Sequence, residues 1–346
     1  MLKHSFVVRL AAVLAVAALL LAACGEDEEP AAGGGGGGEE QGGEAEPLRV
    51  AVLLPGTPTD EGYNEDGQRT ADQIESELGA EVTVTESVPI PNQTDVYRQY
   101  AGQEFDLVIG WGGQFTDGAV AAAKEFPDVN FLVVNSTVEN GSNLASVEQQ
   151  SQDWQFVAGY ALAKLSKSGS IGLIGSQCFP GTALTINGTA EGAKHADPDI
   201  DVNITYTGDF EDATKARQAA QAMIDQGVDA ISGNANNAWF GIFEAAQGAG
   251  NVPVITEWVD NHDLAPEVIY SSVLKTQAEF VAGIAKEAQE GNFEGKIYVE
   301  SIEEGAGPAI SNTELLPDDI YEDAMKVQEQ IASGEIDPKA DESCPE

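Results

Sequence analysis

From residue 48 onward, short apolar runs rich in Val, Ile and Leu alternate with longer stretches spaced for helices, which predicts a succession of βα units. The runs at 48–55, 81–88, 105–112, 129–136 and 144–150 predict a first set of strands, with helices over 64–79, 94–103 and 117–125 between them. After a helix over 154–166 the alternation restarts, with strands at 170–176, 201–208, 228–235, 252–258 and 268–274 and helices at 183–196, 213–226 and 239–248. A helix at 277–290, a strand at 296–302 and a helix at 318–333 follow and must join one set or the other. Strands separated by helices of this length pair in parallel through crossovers. Ten strands approach the limit of one open twisted sheet, so an α/β fold of two lobes is expected.

The N-terminal pattern is different. Lys3, His4 and Arg9 precede an unbroken apolar run from Leu10 to Ala23, the layout of a secretory signal over residues 1–23. The run is short for a membrane span, which takes about 20 apolar residues. Its ending, Leu21-Ala22-Ala23-Cys24, resembles the lipobox of bacterial lipoproteins, which implies cleavage before Cys24 and attachment of diacylglycerol to its thiol. A plain secretory signal and an uncleaved anchor are the alternatives. Residues 24–46 are mostly Gly, Glu and Ala with six glycines at 33–38, a tether reaching about 25 Å. Stable lipid anchoring takes two acyl chains. The body is therefore expected outside the cytoplasm, anchored to the cell membrane.

Composition narrows the partners. The 346 residues carry 16 Lys and Arg against 58 Asp and Glu, a formal charge of -42, which excludes nucleic acid and charge-driven adhesion to anionic lipid. The acids are spread along the whole chain and read as a solvated exterior. Of three cysteines, one is assigned to lipid; an oxidising compartment permits a disulfide between Cys178 and Cys344, with two free thiols as the other reading.

In open parallel sheets, ligands bind beyond the carboxyl ends of the strands. Tyr63 follows the first strand, Trp111 and Gly112 the third, and Asn135 ends the fourth. Phe179 follows the first strand of the second set, Asn236 and Trp239 its third, and Glu257 and Trp258 end its fourth. Three of four tryptophans fall at strand ends, so the cleft is expected to face a flat, weakly polar ligand with rings from both lobes. Packing at a lobe edge is the competing role for each ring taken singly.

Several segments together carry a family likeness: Gly62-Tyr63-Asn64, Phe126-Pro127-Asp128, Phe156-Val157-Ala158-Gly159-Tyr160, the run from Ser166 to Gly172, and Asn187 to Lys194. In this order and spacing the chain from Leu48 to Ser333 resembles the basic membrane lipoprotein family, purine-nucleoside-receptor-like solute-binding proteins of ABC transporters. The resemblance implies a type I periplasmic-binding-protein fold, two Rossmann-like lobes with parallel sheets joined by a hinge. One lobe is then 47–150 with 276–305 and the other 151–275 with 306–340. It also implies that Tyr63 and Asn64 contact the base, and that Lys275 of the Ser272-x-x-Lys275 segment reaches the ligand. Two positions depart from the family pattern: Asn135 stands in place of Asp, and Trp258 in place of the acid that holds ribose hydroxyls, with Glu257 adjacent. These changes lean toward a free nucleobase, with a nucleoside open if Glu257 takes over as acceptor.

Other chemistries find little support. Ser272-x-x-Lys275 lacks the companion motifs of penicillin-binding enzymes, and the acidic loop from Asp60 to Gly67 lacks the first and last carboxylates of a calcium loop. The expected function is a monomeric, non-enzymatic solute receptor that delivers a purine-like molecule to ABC permease subunits, without cofactor or metal. A secreted nucleoside hydrolase and a ligand sensor of the same fold are the alternatives.

Overall fold

The computed structural model describes residues 47–344 apart from 61, 276, 304–306 and 340. The leader, Cys24 and the tether lie outside the described residues. Strands β1 (Arg49–Leu53), β2 (Glu81–Thr85), β3 (Leu107–Trp111), β4 (Asn130–Val134) and β5 (Leu144–Gln149) alternate with helices α1 (Tyr63–Leu78), α2 (Gln93–Ala101) and α3 (Thr116–Glu125). Helix α4 (Ser151–Leu165) then leads into β6 (Ser170–Gly175), α5 (Pro180–Ala196), β7 (Asp201–Tyr206), α6 (Ala213–Asp225), β8 (Ile231–Asn234), α7 (Trp239–Gly248), β9 (Val254–Thr256) and β10 (Ile269–Ser272). The chain ends with α8 (Gln277–Gln289), β11 (Ile297–Glu300) and α9 (Asp318–Ala332).

These strands form two sheets, in the orders β11-β5-β4-β3-β1-β2 and β10-β9-β8-β6-β7, with every strand pair parallel. The late strand β11 returns to the first sheet beside β5, and α8 packs Val281, Ile284 and Ala285 into the core that holds Ala71 and Ile74 of α1. Helix α9 goes the other way, placing Ala324, Val327 and Ile331 in the second lobe's core. Three crossings therefore link the lobes: after Gln149, after Ser272 and after Glu300.

Both faces of the first sheet are covered, which explains its continuous apolar runs. Val50, Val52 and Leu54 enter one core and Ala51 and Leu53 the opposite one, the two-residue alternation of a pleated strand. Strands are shorter than their apolar runs at either end: β8 covers only Ile231–Asn234 of the run 228–235, and Leu54 and Val88, just past β1 and β2, are still buried in the core. Asn135 after β4 (φ 56°) and Trp258 after β9 (φ 80°) both adopt left-handed backbone. Asn tolerates that region, whereas a bulky side chain there costs about 1–3 kcal/mol and tends to mark a functional constraint.

Helices α4 and α5 cross at glycines. A Cβ on Gly192 would lie 1.9 Å from the Phe156 carbonyl oxygen, and one on Gly159 would lie 2.0 Å from that of Thr189. Only glycine permits backbones this close. Helix α5 begins at Pro180, three residues before the start expected from the pattern, because proline is tolerated in the first helical turn and Thr182 Oγ1 accepts the Phe179 amide.

Candidate functional site

The candidate site lies where the carboxyl ends of the two sheets face each other. Its first-lobe wall is set by α1. Asp60 accepts hydrogen bonds from the backbone amides of Gly62, Asn64 and Glu65 at 3.1–3.2 Å and from Asn64 Nδ2 at 2.6 Å, which satisfies amides at the start of the helix. This fixes Tyr63 at its first residue. Trp111 is buried against Gly67 of α1 and donates from Nε1 to the Tyr63 carbonyl at 2.8 Å. The Tyr63 hydroxyl accepts from Asn135 Nδ2 at 3.1 Å, and Asn135 Oδ1 accepts from Gln277 Nε2 at 3.1 Å. Burial holds the Tyr63 phenol above its ordinary range, so it stays a neutral hydroxyl.

The second-lobe wall carries Trp258, whose indole meets the Tyr63 ring at 5.2 Å in an edge-to-face contact. Lys275 Nζ sits 3.8 Å from the centre of the same indole and donates to Gln149 Oε1 at 3.3 Å. Gln149 in turn donates to Glu300 at 3.0 Å. Side chains from all three crossings thus meet beside the rings. Rings from opposite lobes converge as expected, but edge to face. A planar molecule stacked between two faces needs about 7 Å, and the indole face is covered instead by an ammonium.

Glu257 is buried just after β9, with Oε2 accepting from Gln155 Nε2 at 3.1 Å and Oε1 from Asn234 Nδ2. Gln155 is itself held by Thr189 Oγ1 at 3.0 Å across the α4–α5 glycine crossing. Burial pushes the Glu257 carboxyl up to about 7, against the opposing pull of Lys275 and its hydrogen-bond donors. Asp66, one turn after Tyr63, is likewise pushed up to about 6 by burial, opposed by Arg69 at 2.5 Å. Burial also lowers the Lys275 ammonium, while Glu257, Glu300 and Asp66 act to keep it charged.

Tyr63, Trp111, Asn135, Glu257, Trp258 and Lys275 are thus brought together, and the other sequence candidates are placed differently. Asn64 spends its side chain internally, accepting from the Gly56 amide at 2.8 Å and donating to Asp60. Gly112 turns the chain after β3 with φ 123°. Asn236 donates to Glu211 at 3.0 Å and lies against Gly62 of the other lobe. Phe179 is exposed on the rim, 6.2 Å from Phe210. Trp239 stacks on Phe243 within the second lobe's core, 5.9 Å apart. The residues sequence reasoning missed are Asp66, Gln149, Gln155, Asn234, Gln277 and Glu300. Gln149, Asn234 and Glu300 end strands β5, β8 and β11, the same signal that singled out Asn135. Among the described residues, no group of three or more His, Cys, Asp or Glu could hold a metal ion.

Residues 48–342 match the family described as PnrA-like ABC transporter substrate-binding proteins. The chain belongs to this family. A purine-binding protein of Brucella abortus is 27% identical over 298 residues, covering 85% of this chain and 83% of that protein. A nucleoside-binding ABC transporter protein of Lactococcus lactis is 28% identical over 237 residues, covering 64% and 68%. A solute-binding protein of an Aeropyrum pernix ABC transporter has the same fold, with a TM-score of 0.74 at 22% identity over 84% of this chain and 93% of that one. As a PnrA-like protein the chain is the solute-binding component of an ABC importer, extracytoplasmic and membrane-associated, working with permease subunits rather than as an enzyme. Its Cys178 and Cys344 are joined by a disulfide, with Cα atoms 6.1 Å apart.

Proposed function

We propose that this protein binds a planar, purine-like base between its lobes and presents it to the permease while tethered by lipid on Cys24. The observation that carries the reading is the meeting of Tyr63 and Trp258 from opposite lobes, with Lys275 over the indole face. A base entering the cleft takes the place of the ammonium on Trp258, and Lys275 turns to the base edge while keeping its acidic surroundings. Contacts to both lobes then favour the closed form. A free base fits better than a nucleoside, because both oxygens of Glu257 already accept internal hydrogen bonds and Trp258 itself is apolar on its face. The purine-binding and nucleoside-binding relatives support the same ligand class.

A thermal-shift screen against bases, nucleosides, sugars and amino acids tests this. Ligand at a hundred times its Kd adds about 2.7 kcal/mol of stability. The largest shift is expected from a purine base, and a shift confined to sugars or amino acids would overturn the assignment. Incorporation of labelled fatty acid, lost in Cys24→Ser, tests the anchor.

A further inference from the structure

The C-terminal tail is tied along α5 at successive points. The Lys339 amide donates to Glu191 Oε2 at 3.1 Å, and Asn187 Nδ2 donates to the carbonyls of Asp341 at 2.5 Å and Ser343 at 3.0 Å. Cys344 then bonds Cys178, 166 residues earlier. The anchors run from residue 191 through 187 to 178, so the tail travels antiparallel to α5 toward the cleft end of β6.

From the disulfide a chain of contacts reaches the seam between the lobes. Phe179 follows Cys178 and lies against Phe210. The Phe210 carbonyl accepts the amides of Asn236 at 3.2 Å and Ala238 at 3.1 Å. The Asn236 side chain would be 3.1 Å from a Cβ on Gly62, the residue before Tyr63. Phe179 itself is 46% exposed, so burial does little to hold this rim.

We propose that the Cys178–Cys344 disulfide is a redox-breakable strap that orders the cleft rim of the second lobe and thereby tightens ligand binding. The affinity half rests on the ligand reading above, whereas the ordering half does not. An external dithiol supplies two electrons and two protons; the protein S–S bond breaks into two thiols and the dithiol leaves as its own disulfide. The freed tail no longer restrains the 176–180 turn, and binding must then order the rim as well as the ligand. Coupling is reciprocal: tenfold weaker binding to the reduced form requires that saturating ligand lower the disulfide's reduction potential by about 30 mV.

The test compares oxidised protein, the same protein reduced by dithiothreitol, and Cys344→Ser. Without ligand, amide exchange at Phe179, Asn236 and Ala238 is expected to quicken at least about fivefold on reduction while β6 and β8 stay protected, and reoxidation restores it. With adenine as probe, reduction is expected to weaken binding by about tenfold, within the usual range of coupling between sites. Unchanged exchange at the rim overturns the strap whether or not adenine binds. Faster exchange with unchanged affinity overturns its link to binding. If oxidised protein binds no purine, that counts against the ligand reading alone, and exchange decides the strap. Should Cys344→Ser fold poorly, reduction of the already folded protein gives the same comparison.

Discussion

Replacing Trp258 by alanine removes the ring on which the ligand is held, and two separate losses can be worked out. In the unliganded protein the indole gives up its edge contact with Tyr63, about 0.5–1.5 kcal/mol, and its cation–π contact with Lys275, about 2 kcal/mol when desolvated. Alanine at φ 80° keeps the backbone strain, so no relief offsets these terms. These two contacts sum to about 3 kcal/mol, and the cavity left by the buried ring brings the cost to about 3–5 kcal/mol. That is a fall in Tm of roughly 5–8 °C for a body of about 300 residues, which leaves the protein folded at room temperature. In the complex the loss is the stacking itself, about 1–3 kcal/mol, but the variant no longer has to break the ammonium contact of about 2 kcal/mol that the base displaces, so the net change in Kd is expected within about fivefold of the parent. Calorimetric titration with a purine base at 20 °C reads the second loss, and a melting curve reads the first. Trp258→Phe keeps a ring and should bind within about fivefold of the parent, since it forfeits only part of the stacking area. Trp239→Ala is the control: it breaks the Trp239–Phe243 stack inside the core and costs about 3–5 kcal/mol of stability without changing Kd. A change in Kd beyond about tenfold in either direction for Trp258→Ala, or any shift in Kd for Trp239→Ala, refutes the reasoning.

Further expectations follow from other parts of the structure. The Glu257 carboxyl rises from 4.5 to about 7 on folding, so its contribution is fully present below pH 4.5 and is lost as pH rises through 7. Asp66 acts with the same sign up to about pH 6. Stability from urea unfolding should therefore fall between pH 4.5 and 7.5, and Glu257→Gln should flatten that slope even though it loses one acceptor and starts less stable; an unchanged slope removes Glu257 as the cause. Gly192→Ala forces a methyl group onto the Phe156 carbonyl and should cost about 1–3 kcal/mol or more in urea unfolding. A change below about 0.5 kcal/mol would mean that α4 and α5 separate freely. Asp60→Ala removes the acceptor for the first amides of α1 and should cost about 0.5–2 kcal/mol, with weaker purine binding because Tyr63 loses its fixed position. Retention of full affinity in that variant would separate the cap from the site.

The architecture was legible because parallel strands covered on both faces must be apolar throughout, and runs such as that around Val50 to Leu54 are hard to read otherwise. The segments behind the family likeness also have a physical reason. Gly159, Gly188 and Gly192 are the points where α4 and α5 touch backbone to backbone, and that crossing carries Gln155 to Glu257. The site was legible where a residue stands just past the end of a strand, as with Asn135 after β4 and Trp258 after β9. It was not legible where the role depends on which partner a polar group finds. Asn64 and Glu257 looked equally free to meet a ligand, yet Asp60 and Gly56 occupy the first, and Asn234 and Gln155 the second. Trp239 misled because a strand-end position does not say whether the following helix turns its first ring toward the cleft or toward Phe243. Lys275 was expected at the ligand; its placement among the three crossings depends on side chains brought together from residues 149 and 300, which no local pattern encodes.

The most direct test is calorimetric titration of the purified protein with adenine, guanine, hypoxanthine and their nucleosides. The account predicts one-to-one binding with a Kd at or below about 10 μM for at least one free base, a binding free energy of roughly 7 kcal/mol or better, and weaker binding of the matching nucleoside. No heat with any purine, together with saturable binding of a sugar or an amino acid, would contradict it.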